Sequence, residues 1–191
     1  MHSRRHGLRS LRGFTLVELM IVISIVAVLC ALGMVGYQRY IHQAQTSEAK
    51  MVLGQIRAGE EQYRAETLTY LSCSASLTDF YPNASPDDSR WVWLRSTDSR
   101  YNDPNHGWAM LNVNPDAPVR FGYAVVAGVS PGSFPSPDPS FKTPPAWPTG
   151  LAPQTPWFVA SAKNVHVSSM KPSVAMTTSY DGTVYSENDG E

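Results

Sequence analysis

Cysteine is scarce in this 191-residue chain, which has only Cys30 and Cys73. Cys30 lies inside an apolar segment, and Cys73 follows forty-three positions later. If the residues between them are mostly helical, each adds about 1.5 Å along the helix axis, so the two sulfur atoms are far beyond the reach of a disulfide bond. The sequence therefore predicts two free thiols, and it leaves packing or a bound ion to hold the C-terminal region together.

Basic residues are also scarce, except at the N-terminus. Residues 1–13 have four arginines and no acidic residue, whereas the rest of the chain has eleven basic and sixteen acidic residues. A nucleic-acid-binding protein needs a basic face, and no basic cluster occurs after residue 13. This distribution of charge argues against a nucleic-acid partner and draws attention to the N-terminal segment.

Catalytic motifs are missing. The chain has no HExxH, CxxC or GxSxG motif and no glycine-rich phosphate-binding loop. After the N-terminal segment, the histidines His42, His106 and His166 are isolated in the sequence, as surface or turn residues usually are. We therefore expect no enzyme and no metal held by histidine.

Residues 96–107 are the one segment with the residue types that bind calcium. It has four side chains with suitable oxygen atoms: Asp98, Asn102, Asp103 and Asn105. Their spacing differs from that of an EF-hand, and clusters of Asn, Asp and Gly usually form turns. We interpret the segment as a turn, expect no cofactor, and keep calcium as the alternative.

A long uncharged run is the most prominent feature that is present. Leu19 to Tyr37 is nineteen residues without a charge, long enough for a helix to cross a bilayer. The arginines before it place the N-terminus in the cytoplasm and the rest of the chain outside it. A cleavable secretory signal is an alternative that the length of the run disfavours. A lipoprotein with Cys30 as lipid carrier is another, which bulky Leu29 disfavours.

The helical pattern continues beyond this run, because no proline occurs between Phe14 and Tyr81. One helix is predicted from about residue 14 to about residue 67. Its second half has an apolar stripe at helical spacing, formed by Ala49, Val52, Leu53, Ile56 and Tyr63. Charges four residues apart are expected to pair on the helix surface: Arg57 with Glu61, and Glu60 with Arg64.

From about residue 69 onward, short segments rich in β-branched and aromatic residues alternate with turn formers. This pattern is typical of strands in an antiparallel sheet. Strands are predicted at 90–96, 107–113, 119–128, 156–164 and 172–188. In the last of these, the dipeptide Asp181-Gly182 indicates a hairpin.

Two further features belong to the same region. The tryptophans at positions 91, 93 and 108 are expected in the strand core. Nine prolines lie between Val126 and Trp157, and proline cannot donate to a sheet ladder. Residues 130–156 are therefore a predicted surface loop, either a passive linker or a binding segment. The fold class that follows is α+β, with a long N-terminal helix packed against an antiparallel sheet of four or more strands.

The residues around position 13 form a specific motif. A short basic leader ends in Gly13, Phe14 follows, Glu18 comes four residues later, and an apolar helix continues from there. In this order the residues resemble the class III signal of type IV pilins and of the related type II secretion pseudopilins. Tyr37 and Tyr40 are also similar to residues of a pilin helix, where they would take part in helix packing.

The resemblance implies a division of the chain and a set of partners. Residues 1–13 would be the leader, 14–38 the transmembrane and filament-core helix, 39–68 its amphipathic continuation, and 69–191 the globular β region. A prepilin peptidase would cleave after Gly13, and the new amine of Phe14 would be methylated. Before assembly, the protein would lie in the bacterial inner membrane as a single-pass protein. Assembly machinery would then add it to an extracellular homo-oligomeric filament, which would function in adhesion or motility.

The resemblance also explains Glu18. A carboxylate at the bilayer centre costs roughly 2.5–3.5 kcal/mol on insertion scales, and less toward the interface. After cleavage the chain begins at the cationic amine of Phe14. In a filament of packed helices, Glu18 of one subunit would pair with the Phe14 amine of a neighbour and so set the register of each incoming subunit.

Two departures from the family pattern accompany the resemblance. Many members have proline two residues before the tyrosine that corresponds to Tyr37, where this chain has Val35 between Gly33 and Gly36. Many pilins also close the C-terminal region with a disulfide, which this chain lacks. The leading interpretation is a type IV pilus subunit, major or minor. The alternatives are a type II secretion pseudopilin and a membrane-anchored periplasmic enzyme or binding module.

Overall fold

The computed structural model describes residues 13–93, 98–105, 107–129, 135, 155–165, 172–180 and 182–187. The chain divides into two compact units, Met1–Gln38 and Arg39–Glu191. Residues 1–12 of the predicted leader lie outside the described residues.

The long helix α1 runs from Leu16 to Thr67, close to the predicted bounds. Its C-terminus is closed by Leu68, whose backbone N–H donates to the carbonyl oxygen of Arg64 at 2.8 Å. Leu68 has a φ of 65°, in the left-handed region that usually takes glycine at the end of a helix. Within the first unit, Leu16–Met34 has the length and composition of a membrane span, with a mean hydropathy of 2.7 and no buried residue.

In the second unit, one face of α1 forms part of the hydrophobic core. The predicted apolar stripe is confirmed, since Ala49, Val52, Leu53 and Ile56 are completely buried, and Tyr63 packs at the edge of the same cluster.

Four strands follow in the order β1 Gly122–Val129, β2 Pro156–Val165, β3 Pro172–Thr178 and β4 Tyr185–Glu187. Each strand pairs antiparallel with the next, so the sheet order is β1-β2-β3-β4. This arrangement confirms the predicted α+β class.

Successive side chains along each strand point to opposite faces of the sheet, and side chains on both faces are buried. One face joins the core of α1 through residues such as Tyr123, Phe158 and Ala175. The other face packs Val159 and Met176 in a second, smaller cluster.

Two predicted strands are wrong in whole or in part. Residues 90–93 contribute only an isolated bridge between Trp91 and Val119 to the described structure, and Trp91 stays 40% exposed. Residues 107–113 contain instead the 3₁₀-helix Trp108–Leu111. Residues three apart lie on the same side of such a helix, so Trp108 and Leu111 are buried on one side, whereas a strand would direct them to opposite faces.

Trp93 and Trp108 are core residues, as predicted, although neither lies in a strand. Trp93 and Trp108 are buried in an aromatic cluster with Tyr81, where Trp93 meets the other two rings edge-on and Trp108 stacks on Tyr81 at 5.4 Å between ring centroids. Tyr101 and Tyr123 extend the cluster. Aromatic pairs in these geometries stabilise a core beyond the area that they bury.

The C-terminal hairpin is confirmed, but its connection is longer than the predicted two-residue turn. Six residues, 179–184, separate β3 from β4, and Asp181 lies outside the described residues. A guanidinium nitrogen of Arg57 donates to the carbonyl oxygen of Thr178 at 3.4 Å. This bond ties the end of β3 to α1. Of the predicted proline-rich loop, only residues 135, 155 and 156 are described.

One predicted ion pair is wrong, because Glu60 belongs to the buried face of α1 and not to its surface. Glu60 has no exposed surface, and its Oε2 accepts a hydrogen bond from the backbone N–H of Leu71 at 2.9 Å. Arg64 instead donates to the hydroxyl of Tyr70 at 2.9 Å and lies 3.8 Å from Glu61. Through this hydrogen bond, Glu60 links α1 to the segment that follows it.

Candidate assembly site at the helix N-terminus

The N-terminus of α1 is closed by a reciprocal pair of side chains, Thr15 and Glu18. The backbone N–H of Glu18 donates to Oγ1 of Thr15 at 3.2 Å. In return, Oε2 of Glu18 accepts from the backbone N–H of Thr15 at 2.9 Å and from its hydroxyl at 2.8 Å. This arrangement is a capping box, which satisfies backbone N–H groups that the first turn of a helix leaves without partners.

Thr15 is therefore a functional residue that the sequence analysis missed. The signal was present, because Thr-x-x-Glu before an apolar run is the sequence pattern of a capping box. The cap orients the Glu18 carboxylate at the positive end of the helix dipole, where a negative charge is favourable.

The Glu18 carboxylate has no cationic partner among the described residues. Glu18 is exposed, and Thr15 supplies the hydrogen bonds that its carboxylate receives. Hydroxyl and amide donors do not neutralise its charge. The carboxylate is thus held in place and is open to a cation from outside the described part of the chain.

Gly13 and Phe14 lie directly before the cap. Phe14 is 82% exposed, so no contact within the described structure accounts for its large apolar ring. A Cβ atom added at Gly13 would meet no atom within 4 Å. The described structure therefore does not require glycine at this position.

The helix that follows is apolar on all sides. The large apolar side chains from Leu16 to Met34 are each at least half exposed. The polar Ser24 turns its hydroxyl inward and donates to the carbonyl oxygen of Met20 at 2.7 Å, which removes a free donor from an apolar surface. The exposed surface of this segment is thus suited to an apolar environment, which the described part of a single chain does not provide.

The remaining predicted site residues lie farther along α1. Tyr37 and Tyr40 are 66% and 68% exposed, and Tyr37 follows Glu18 by more than five helical turns. Within one chain, therefore, the structure does not bring Tyr37 together with Phe14 and Glu18. The glycines Gly33 and Gly36 have open space where a Cβ would be.

The segment considered for calcium forms a turn and a short helix, α2, over Ser99–Asn102. Asp98 caps α2 and binds Nη2 of Arg100 through Oδ2 at 2.8 Å, and these hydrogen bonds from Arg100 lower the pKa of the Asp98 carboxyl group. Asp103 accepts from the backbone N–H of Asn105. The described residues contain no group of three potential metal ligands among His, Cys, Asp and Glu.

The structure describes one of the three isolated histidines and both cysteines. His42 is half-buried on α1, and His106 and His166 lie outside the described residues. Both cysteines are free, Cys30 exposed and Cys73 buried, as predicted.

Comparison with known proteins gives a match to one family model and similarity to several proteins. Residues 8–34 match the model of the prokaryotic N-terminal methylation motif. The chain is 33% identical over 78 residues to a probable minor fimbrial protein of Dichelobacter nodosus, which is 41% of this chain and 48% of that protein.

Two other relatives give shorter matches. A type IV major fimbrial protein of the same organism is 44% identical over 50 residues, 26% of this chain and 32% of the relative. A fimbrial protein of Moraxella nonliquefaciens is 58% identical over 38 residues, 20% of this chain and 25% of the relative. Each match thus spans less than half the length of the relative.

No solved structure matches this chain. The methylation motif covers Gly13, Phe14, Thr15 and Glu18 together, and it continues through the exposed apolar part of α1. This chain thus has the prokaryotic N-terminal methylation motif, is similar to the fimbrial proteins named above, and has an α+β, pilin-like architecture of an N-terminal apolar helix and a C-terminal antiparallel sheet.

Proposed function

We propose that this protein is a structural subunit of a type IV pilus. The observation that carries the proposal is the segment Leu16–Met34, which is apolar apart from the capped Glu18 in its first turn and has no buried residue. Such a surface needs lipid before assembly and neighbouring helices after it. The relatives named above are fimbrial proteins, which supports the pilus over the secretion pseudopilus and a structural role over an enzymatic one.

In this proposal, prepilin peptidase cleaves after Gly13 on the cytoplasmic side of the inner membrane, and the amine of Phe14 becomes methylated. Cleavage creates a cationic amine one residue before the capping box. The amine of one subunit then supplies the charge that Glu18 of a neighbour lacks. Either charge alone is costly in an apolar bundle, and pairing offsets most of that cost.

The second half of α1 supports helix-to-helix packing. One exposed face has residues at spacings of three and four, which are small apart from one methionine: Ala44, Ser47, Met51 and Gly54. A Cβ added at Gly54 would meet no atom within 4 Å. Small residues allow helices to approach closely, so this face suits contact with α1 of another subunit.

The test is expression in a host that has a prepilin peptidase and a pilus assembly system. Filaments sheared from the cells should contain the chain, and mass spectrometry should find a mature N-terminus at Phe14 with one methyl group. Quantifying the chain along the filament separates a major subunit from a minor one. An intact Met1 in sheared filaments, or retention of all protein in the membrane, would overturn the proposal.

A further inference from the structure

A cleft on the second unit lies between α1 and the turn that follows the 3₁₀-helix. Its volume is about 330 Å³, at the lower end of the range of about 300–1,000 Å³ that is usual for small-ligand sites. Four carboxamide side chains line it, namely Gln55, Gln62, Asn112 and Asn114. We refer to it as the amide cleft.

The floor of the amide cleft is built into the fold. A Cβ at Gly59 would come within 2.3 Å of the carbonyl oxygen of Leu111, so glycine is what allows α1 and the turn to touch. On the turn side, Trp108 and Leu111 are almost completely buried. The two walls are therefore fixed by the core before any ligand arrives, which lowers the entropic cost of binding.

The chemistry of the lining selects a ligand class. None of the described lining residues is charged, so an ionic ligand would find no counter-ion there. Each carboxamide both donates and accepts hydrogen bonds. Sugar hydroxyl groups do the same, and a neutral saccharide therefore matches the lining better than an ion or an apolar molecule does.

The hydrogen-bonding capacity of the lining is unused. No side-chain amide of the four makes a hydrogen bond to another described residue. The Oε1 atom of Gln55 is moreover buried without a partner there. A buried acceptor without a donor destabilises a protein, and rotation of the Gln55 side chain toward a ligand hydroxyl would remove that penalty.

We propose that the amide cleft binds a neutral hexose unit of a glycan. The Gln55 and Gln62 side chains contact it from α1, and those of Asn112 and Asn114 contact it from the turn. This inference goes beyond a role as filament subunit and does not depend on it, because the cleft lies within one chain.

The test is nuclear magnetic resonance of the full chain, labelled with ¹⁵N at its glutamine and asparagine side chains and dissolved in a detergent without a sugar headgroup. The probes are D-glucose, D-galactose, D-mannose and N-acetyl-D-glucosamine, with glucuronate as a charged comparison and glycerol as a non-specific polyol. At least one neutral sugar should shift the four cleft amides saturably and leave the Gln43 amide unchanged. Glucuronate and glycerol should have much weaker effects.

Two variants and one control complete the design. Gln55→Leu removes one amide, and Asn112→Gly removes another while it preserves a backbone φ of 51°. Each should weaken binding about fivefold, the effect of losing one ordinary hydrogen bond. Gln43→Leu makes the same change as Gln55→Leu at an exposed position of α1 and should bind as the wild type does. If Gln55→Leu does not fold, Asn112→Gly decides.

Three results would overturn the inference. The first is the absence of any saturable shift with all four neutral sugars, and the second is an equal response to glycerol or glucuronate. The third is a set of cleft shifts that depends on protein concentration alone, which would identify the cleft as a contact between copies of the chain.

Discussion

Glu18 and Glu60 lie on the same helix, but their surroundings differ. Glu18 begins a segment in which no residue is buried, and its carboxylate is held by Thr15 alone among the described residues. Glu60 is completely buried, and its Oε2 accepts from the backbone N–H of Leu71. Folding of one chain thus explains the place of Glu60, whereas the proposed function assigns the cationic partner of Glu18 to a second molecule.

Glu18 and Glu60 also differ in the charge that their positions call for. Burial raises the pKa of Glu60 to about 8, against a smaller opposing effect of the Leu71 hydrogen bond. Glu60 is therefore mostly protonated at neutral pH, and a neutral carboxylic acid can remain in a core. The proposed function of Glu18 needs the opposite state, a carboxylate that attracts the amine of a neighbouring Phe14. In the proposed function, Glu60 stabilises the fold of one subunit as a neutral acid, whereas Glu18 attracts a neighbouring subunit as a carboxylate.

The largest effect is expected for Glu18→Ala, and it concerns the assembly of subunits into filaments. Removing the carboxylate leaves the Phe14 amine of the neighbour unpaired in an apolar bundle, and breaking a buried pair in this way costs about 3–5 kcal/mol. Addition of a subunit should therefore weaken by a factor of hundreds or more. Immunoblots of sheared filaments and of membranes measure this loss, and the variant should accumulate in the membrane with its leader removed.

A matched variant sharpens that experiment. Glu18→Gln keeps a hydrogen-bond acceptor for the cap without the charge, so it should assemble somewhat better than Glu18→Ala and worse than the wild type. Filaments of wild-type amount and length from Glu18→Ala would refute the role in register.

The next largest effect is expected in the pH dependence of the free energy of unfolding, through Glu60. Its pKa is about 4.5 in an unfolded chain and about 8 when folded, so the folded state binds more protons between these values. The stabilising contribution of Glu60 is therefore complete below pH 4.5 and is lost as pH rises to about 8. The free energy of unfolding should fall in this range by up to about 1.4 kcal/mol per pH unit.

Melting curves of the full chain from pH 4 to pH 9 measure this slope. Glu60→Gln should remove most of it, because glutamine is uncharged and can still accept from Leu71. Glu61→Gln, the same change at the exposed neighbouring position, should keep most of the slope, because burial raises the pKa of Glu60 more than the charge of Glu61 does. A slope that survives in Glu60→Gln would contradict the assignment of the proton to Glu60.

These two glutamates also show what the sequence could and could not predict. The proposed function of Glu18 comes from its order after Gly13 and Phe14, a local pattern, and it stays a prediction. Glu60 was placed on the surface because it is charged, although its spacing of four from Ile56 puts it on the apolar stripe. Periodicity was the better guide, and the exception arose because the backbone N–H of Leu71 was invisible from the sequence.

Elements with one dominant local signal were predicted well, and those decided by distant contacts were not. The length of α1 followed from the absence of proline, and β1 to β3 from β-branched residues. The 3₁₀-helix Trp108–Leu111 was mistaken for a strand because the burial of Trp108 depends on Tyr81 and Trp93. Likewise, no local pattern indicates the bond between Arg57 and Thr178, which joins residues 121 positions apart.

A smaller effect is expected for Thr15→Val, which removes the capping hydroxyl and keeps the side-chain shape. Loss of such a cap costs about 1 kcal/mol, which corresponds to about a fivefold increase in local opening of the first turn. Amide hydrogen exchange of Val17 and Glu18 in the full chain measures this opening. Thr67→Val, the same change at the other end of α1, serves as the control and should leave exchange at Val17 and Glu18 unchanged. Unaltered exchange in Thr15→Val would show that the capping box contributes nothing.

The smallest effect is expected for the thiols. Cys73 is buried and free, and burial raises the pKa of its thiol well above the usual value, so little of the reactive thiolate forms. In a Cys30→Ala variant, reducing agent should leave the melting temperature unchanged. Iodoacetamide should label Cys73 only after the chain is denatured. A melting temperature that drops on reduction would reveal a disulfide partner for Cys73, and rapid labelling of the folded chain would show that the Cys73 thiol is accessible.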